Sequence, residues 1–225
     1  IFDPKSQAFN FHPGPIFSNC VLADEMNRAT PKTQSALLEA MEERQITIDG
    51  STKKLQQPFF VIGTQNPLDQ SGTFPLPESQ LDRFMMKLNL GYPDEKAERE
   101  LLSGQNRQHL IHNLQPAITT ENLIQLQNAV EEIHVSDALL DYVQLLVSET
   151  RNKQLFVYGL SPRAALSLLR AARAWALMNG RNFVEPGDIK AVFISISNHR
   201  LIPTEQHSKN STSLVETLLQ QISIP

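Results

Sequence analysis

Two adjacent acidic residues, Asp24 and Glu25, follow directly on an apolar run at residues 20–23. Side chains alternate along a strand, so two neighbouring acids point in different directions. One of them can hold Mg²⁺ or its water ligands while the other orients an attacking water, as NTP hydrolysis requires. The alternative is a pair of acids at a solvated strand end, and the pair by itself favours that alternative.

A third polar residue, Asn66, comes near the end of a second apolar segment at residues 58–67. If the two segments are neighbouring strands, Asn66 lies beside Glu25 and can hold the same water. Asparagine before proline is also ordinary turn chemistry, so Asn66 is weak evidence without the acids.

Arg83 stands just ahead of an apolar stretch, in the sequence PESQLDRF. One interpretation is a surface ion pair, with Asp82 or Glu78 as the partner. The other is an arginine finger, which neutralises charge on a phosphate held by a neighbouring subunit. The local sequence leaves both interpretations open.

Arg163 lies in the first turn of a predicted helix, after the capping residue Ser161 and after Pro162. A cation at this end opposes the helix dipole, at a cost of about 0.3–1 kcal/mol. That cost suggests a compensating benefit, such as contact with a phosphate. Arg170 and Arg173, further along the same helix, are better explained as a solvated basic face.

Strand and hairpin patterns position these residues in the first 92 residues of the chain. The predicted elements are a small hairpin within 1–18, a strand at 19–24, a helix capped by Thr30 with Pro31 in its first position, a hairpin at 45–55 turning at Asp49-Gly50, a strand at 58–67 and a strand at 85–93. Together they predict an α/β domain at residues 1–92.

From Asp94 onward the apolar residues recur with helical spacing. The predicted helices are 95–106, 121–133, 137–151, 162–179, 187–198 and 212–222. The sequence therefore predicts an all-helical domain at residues 93–225.

Composition and charge describe an ordinary globular protein, with 40% hydrophobic residues and a formal net charge of −4. This balance gives no general attraction to nucleic acid or to anionic membranes. The single cysteine, Cys20, excludes an intrachain disulfide and lies in an apolar run, which indicates a buried core residue. No segment has the roughly 18 continuous apolar residues of a membrane span. A single cysteine fits a reducing compartment, so we expect a cytoplasmic protein.

Four segments of the chain, in the same order, resemble motifs of the MoxR family of AAA+ ATPases. VLADEMNRATPKTQSALLEAMEERQITIDG resembles the Walker B segment with its following helix and hairpin, and FFVIGTQNP resembles the sensor 1 strand. GTFPLPESQLDRFMMKLNLGYPDEKAE resembles the segment with the arginine finger, and LSPRAALSLLRAARAWALMNGRNFVEPGDI resembles the sensor 2 helix. The resemblance covers nearly the whole chain.

The resemblance implies a role for each polar residue, with ATP and Mg²⁺ as the cofactors. Asp24 would be the Mg²⁺-side acid, and Glu25 the general base. Asn66 would position the attacking water as sensor 1, and Arg83 would be the finger that acts on a neighbouring subunit. Arg163 would contact the γ-phosphate as sensor 2.

The resemblance also implies an upstream phosphate-binding loop, yet no G-x-x-x-x-G-K-[ST] occurs in the 225 residues. We therefore expect a fragment of an AAA+ core, followed by the helical lid, which holds half of a nucleotide site. The implied parallel sheet has a central strand, absent from this chain, between strands at 59–64 and 85–90. We expect the resulting slot to collapse or to be filled, since unpaired buried amides and carbonyls are costly.

The leading functional hypothesis is a ring-forming ATPase subunit, with a hexamer as the expected ring. The resemblance implies chaperone-like remodelling or activation of partner proteins, including those with von Willebrand factor A domains. A non-hydrolysing scaffold is an alternative, but it would have no need for all five polar residues at once. A DNA-associated motor and a metal chelatase subunit are further alternatives. An acidic chain without a basic tract gives the DNA motor little support.

Overall fold

The structure is a computed structural model that describes residues 2–3, 8–9, 11, 13–48, 50–66, 72–103, 114–152, 154–204 and 211–222. The chain forms two compact units, Ile1–Phe84 and Met85–Pro225. The change of sequence pattern near residue 92 thus falls inside the second unit. The functional boundary between residues 1–92 and 93–225 stays a prediction.

The first unit is a mixture of short strands and helices. Its elements are β1 (Phe2–Asp3), β2 (Ala8–Phe9), β3 (Cys20–Ala23), α1 (Pro31–Glu43), β4 (Gln45–Ile48), β5 (Ser51–Lys54), β6 (Phe60–Gly63) and α2 (Glu78–Leu81), with 3₁₀ turns at Pro15–Phe17 and Met26–Arg28. β3 and β6 pair in parallel, with Ala23 opposite Gly63. The pairs β1–β2 and β4–β5 are antiparallel, which confirms both predicted hairpins; Asp49 lies outside the described residues.

Helix α1 packs beside the parallel pair and supplies much of the core of this unit. The Thr30 hydroxyl caps the helix by accepting a hydrogen bond from the Thr33 N–H at 3.4 Å, and Pro31 occupies the first helical position. Leu38 packs with Met26 and Leu76. Ala40 belongs to a second small cluster, with Leu55 and Phe59, against which side chains of β4 and β6 pack. The predicted helix start is confirmed.

One face of the parallel pair is open to solvent, although both strands come from apolar segments of the sequence. Cys20 is exposed, and Leu22 and Ile62 are 64% and 49% exposed. Because side chains alternate along a strand, these residues lie on the face opposite Val21 and Ala23, which are half-buried. The prediction of a buried Cys20 was therefore wrong.

The strand predicted at residues 85–93 does not form. Residues 86–94 have no regular secondary structure, and Leu90 and Tyr92 are 97% and 92% exposed. A strand needs a hydrogen-bonded neighbour, whereas the Lys87 N–H donates to the Ser195 carbonyl at 2.8 Å, in the last helix turn before Asn198. Because residues 85–90 form no strand, the predicted slot has no strand on that side. The parallel sheet of the described residues has two strands.

The second unit is helical, as predicted. Its elements are α3 (Glu95–Leu102), α4 (Thr120–Glu132), α5 (Asp137–Thr150), β7 (Phe156–Tyr158), α6 (Pro162–Met178), α7 (Pro186–Ser197), β8 (Ile202–Pro203) and α8 (Ser211–Gln221). Each predicted helix has a counterpart, although α3 ends at Leu102 and residues 104–106 lie outside the described ranges. The short antiparallel pair β7–β8 was not predicted.

A continuous apolar core holds the second unit together. The buried members with the largest side chains are Tyr142, Phe156 and Phe193, and they come from three different elements. None of the helices that the structure describes is both long enough and apolar enough to cross a membrane.

An ion pair with a buried acid fixes the start of α7. Both terminal nitrogens of Arg181 donate to the Asp188 carboxylate, at 2.7 and 2.5 Å, and the Glu185 N–H donates to it at 2.8 Å. Burial of Asp188, which is 3% exposed, raises the pKa of its carboxyl. The hydrogen bonds from Arg181 and Glu185 outweigh burial, so the net pKa lies below its usual range.

We expect Asp188→Asn to destabilise the protein by about 1.5–3 kcal/mol near neutral pH, the range for hydrogen bonds to a charged group. The folded-state pKa lies below the unfolded value of about 3.9, so the unfolded state binds protons first as the pH falls. The stabilisation is therefore complete above about pH 5 and is lost progressively as the pH falls past the unfolded pKa and through the folded pKa. Urea unfolding across this pH range should show that dependence in the wild type and a weaker one in Asp188→Asn.

The matched control is Asp141→Asn, which neutralises an exposed aspartate on α5. It should change the free energy of unfolding by no more than about 0.5 kcal/mol. Equal stability of Asp188→Asn and the wild type near neutral pH would contradict the assignment.

Candidate active site

The carboxyl ends of β3 and β6 meet at one edge of the parallel pair, and the candidate site is built from the residues that follow. Asp24 and Glu25 come directly after β3, and Thr64 comes directly after β6. Asn66 is two residues beyond Thr64. The structure thus confirms that the two predicted strands are neighbours, and it places both polar segments at one edge.

Thr64 connects the two segments by bonding to four consecutive residues. Its N–H donates to the Ala23 carbonyl at 3.0 Å, and its carbonyl accepts from the Met26 N–H at 2.9 Å. Its hydroxyl accepts from the Glu25 N–H at 2.9 Å and donates to Asp24 Oδ1 at 2.5 Å. One residue therefore fixes both the turn after β3 and the orientation of one acid.

Glu25 has an unusual backbone conformation and an accessible side chain. Its φ and ψ of 46° and 49° are left-handed, which costs about 1–2 kcal/mol for a residue with a side chain. Its carboxylate pairs with Arg28 Nε at 2.9 Å, and the two side chains are 42% and 41% exposed. Water can therefore reach the Glu25 carboxylate, and such an exposed pair contributes at most about 1 kcal/mol.

The turn after β3 is also held from the side of α1. The Gln34 side chain, 2% exposed, donates from Nε2 to the Met26 carbonyl at 3.2 Å and to the Phe74 carbonyl at 3.0 Å. Because the amide is buried with both carbonyls as partners, it ties α1 and the segment at Phe74 to this turn. Neither Gln34 nor Thr64 was predicted from the sequence. Gln34 did carry a signal, since it lies one turn before Leu38 on the apolar face of α1.

Arg83 forms an ion pair, as one of its two interpretations predicted, but with a different partner. Its Nη1 lies 2.5 Å from Oε2 of Glu42, and each side chain is 34% exposed. The predicted partners were Asp82 and Glu78. Phe84, next to Arg83, packs against the core cluster of α1, which brings the guanidinium to the last turn of that helix.

Arg163 lies exposed in the first turn of α6, in the second unit, where the helical pattern placed it. Further along α6, Arg170 and Arg173 pair with Glu131 at 2.9 and 3.3 Å. The predicted basic face therefore pairs with an acidic residue of α4, Glu131. The contact of Arg163 with a phosphate stays a prediction.

The acids at the sheet edge suit Mg²⁺ rather than a metal held by protein ligands alone. Among the described residues, no three His, Cys, Asp or Glu side chains form a group that could hold a metal ion. Mg²⁺ bound with a nucleotide needs only one or two carboxylates, because waters and phosphate oxygens complete its shell. The exposed Asp24 carboxylate, oriented by Thr64, fits that requirement.

Two family models match this chain. Residues 1–86 match that of the ATPase family associated with various cellular activities (AAA), and residues 148–221 match the AAA lid domain. The chain is 42% identical over its whole length to the uncharacterised protein YeaC of Bacillus subtilis, of which it covers 71%. It is 37% identical, again over its whole length, to the chaperone MoxR1 of Mycobacterium tuberculosis, of which it covers 62%.

The chain belongs to the MoxR family of AAA+ ATPases.

A solved structure supports the same membership. The crystal structure of a protein considered an ATPase, from Cytophaga hutchinsonii, superimposes with a TM-score of 0.90 at 38% identity. The match covers all of this chain and 72% of that protein. The predicted fold class, an α/β AAA+ region followed by a helical lid, is therefore confirmed for this MoxR-family chain.

Proposed function

We propose that this chain is the Walker B and lid portion of a MoxR-type ATPase subunit that couples ATP hydrolysis to the remodelling or activation of partner proteins. The observation that carries the proposal is the acid pair Asp24–Glu25, which Thr64 ties to the neighbouring strand. A surface turn without chemistry would not need two adjacent acids, one of them in a left-handed backbone conformation, both bonded to the residue after the next strand.

In the proposed reaction, the Glu25 carboxylate accepts a proton from a water whose oxygen attacks the γ-phosphorus of ATP. The bond from that phosphorus to the β,γ-bridging oxygen breaks, and ADP and phosphate are the products. Asp24 would hold Mg²⁺ through its oxygens or its waters, and Asn66 would hold the attacking water. Arg83 of a neighbouring subunit and Arg163 would offset the charge on the phosphate.

The proposed assembly is a closed ring, with six subunits as the expected number. Partner proteins with von Willebrand factor A domains are the proposed substrates, and the name of the relative MoxR1 as a chaperone supports a protein substrate. Within this proposal the subunit works in the cytoplasm, where a single cysteine stays reduced.

The proposal is tested in the protein that includes its phosphate-binding segment. Light scattering should show a ring in the presence of Mg·ATP, and the purified ring should release phosphate. A candidate von Willebrand factor A domain should bind the ring more tightly with ATP than with ADP, and the domain should in turn change the turnover rate. A non-hydrolysing scaffold would give equal binding with either nucleotide and no phosphate release.

We expect the 225-residue chain by itself to bind Mg·ATP weakly and not to hydrolyse it. Backbone amides and a lysine of a phosphate loop supply much of the affinity for a triphosphate, and these 225 residues contain no such motif. Calorimetric titration with Mg·ATP measures this, and the same protein with its phosphate-binding segment is the control. Micromolar affinity in the 225-residue chain would contradict the expectation.

A further inference from the structure

The proposed reaction gives Thr64 no role, although its hydroxyl bonds to both acidic residues, at the side chain of Asp24 and at the backbone amide of Glu25. That hydroxyl uses its donor on Asp24 Oδ1 and an acceptor site on the Glu25 N–H. A hydroxyl can donate and accept at once, whereas a methyl group of the same size can do neither. The bond to the Glu25 amide also falls on the residue with the left-handed backbone.

We propose that Thr64 is a positioning residue for hydrolysis, because its hydroxyl holds the Mg²⁺-side acid and the backbone of the general base in one fixed arrangement. This inference rests on the proposed function. Because Asp24 Oδ1 accepts from the Thr64 hydroxyl, Asp24 Oδ2 would remain available to Mg²⁺ or to its waters. Glu25 is held at its own amide, so its carboxylate starts from a fixed backbone position.

Two substitutions separate the hydroxyl from the rest of the side chain. Thr64→Val keeps the branched shape and removes both hydrogen bonds, and Thr64→Ser keeps the hydroxyl and removes one methyl. Loss of a group that orients a metal ligand typically lowers metal affinity or activity by about 10–100-fold. We expect a loss of that size in kcat for Thr64→Val, with a higher Mg²⁺ requirement and little change in KM for ATP.

The expected pattern includes recovery by Thr64→Ser to within about threefold of wild type, since the hydroxyl keeps both partners. The control is Thr217→Val on α8, which removes an exposed hydroxyl bonded to the Ser213 carbonyl and should leave kcat unchanged. A purely structural role for Thr64 would instead lower the midpoint of unfolding and change KM and kcat together.

Hydrogen exchange gives a readout that does not depend on turnover. Because the Glu25 N–H donates to the Thr64 hydroxyl, the peptide covering residues 20–26 should exchange faster in Thr64→Val and at the wild-type rate in Thr64→Ser. Unchanged exchange in Thr64→Val would overturn the inference.

Kinetics give a second way to overturn it. If Glu25→Gln is inactive but Thr64→Val keeps wild-type kcat and Mg²⁺ dependence, the inference about Thr64 fails and the proposed function stands. If Glu25→Gln keeps wild-type turnover, the assignment of Glu25 as the base fails, and the inference about Thr64, which depends on that assignment, fails with it. Equal losses in Thr64→Val and Thr64→Ser would also contradict a role for the hydroxyl.

Discussion

Glu25→Gln should reduce ATP turnover by about 100-fold to 10,000-fold while leaving the affinity for Mg·ATP nearly unchanged. The amide keeps the shape of the carboxylate but cannot accept a proton, so the loss falls on the chemical step. Phosphate release in single-turnover conditions measures that step, and calorimetry measures the affinity. Both are carried out on the protein that includes its phosphate-binding segment.

The structure indicates that Glu25→Gln tests the chemical step and leaves the fold intact. The Glu25–Arg28 ion pair that it weakens is about two-fifths exposed, so its loss should cost no more than about 1 kcal/mol of stability. The left-handed backbone is held by the Thr64 hydroxyl, which accepts from the main-chain amide of residue 25 whatever its side chain is. Glu39→Gln, on the exposed face of α1, is the control for the loss of one negative charge.

A rate within a few-fold of wild type would show that Glu25 is not the base. In that case Asp24 would be the next residue to substitute, because it is the other acid at the same sheet edge. A loss of both affinity and turnover would instead indicate that Glu25 contributes to nucleotide or Mg²⁺ binding.

The features predictable from the sequence were those with local causes. Thr30 and Pro31 predicted the start of α1, alternation predicted the β4–β5 hairpin, and helical spacing predicted the helices of the second unit. The placement of Asp24 after a strand and of Asn66 after its neighbour also followed, because parallel strands end at a common edge.

The features that were missed depend on contacts between residues distant in sequence. The partner of Arg83 is Glu42, 41 positions earlier, and packing next to α1 decides that pairing, not adjacency. Nothing in the local sequence distinguishes Thr64 from an ordinary polar residue. Its bond to Asp24, 40 positions earlier, depends on the pairing of β6 with β3. The alternation at residues 85–93 predicted a strand, but alternation cannot supply the neighbour that a strand requires.

Arg83→Ala should abolish most ATP turnover through the site of a neighbouring subunit. Arginine fingers contribute about 10³–10⁵-fold to phosphoryl transfer, so the loss should be comparable to that from Glu25→Gln. The ion pair with Glu42 is one-third exposed, and its loss should cost no more than about 1 kcal/mol of stability. Arg99→Ala, which removes an exposed arginine from α3, is the control, and unfolding midpoints of both variants check the fold.

Mixing the two inactive variants distinguishes action on a neighbour from action within one subunit. An Arg83→Ala subunit keeps its own base, and a Glu25→Gln neighbour can still supply a finger. In a random equal mixture, about one quarter of the interfaces in a closed ring pair these two in the productive order. Turnover should therefore recover to at most about one quarter of wild type if the sites act independently.

The control is a subunit that carries both Glu25→Gln and Arg83→Ala. When it is mixed with Glu25→Gln subunits, every site lacks its base, so no arrangement gives a complete site. Recovery in the first mixture and none in the second would require that Arg83 completes the site of a neighbour. Absence of recovery in rings shown by mass spectrometry to be mixed would contradict a role across the interface. Arg83 would then be limited to its own subunit, where the observed partner of its guanidinium is Glu42.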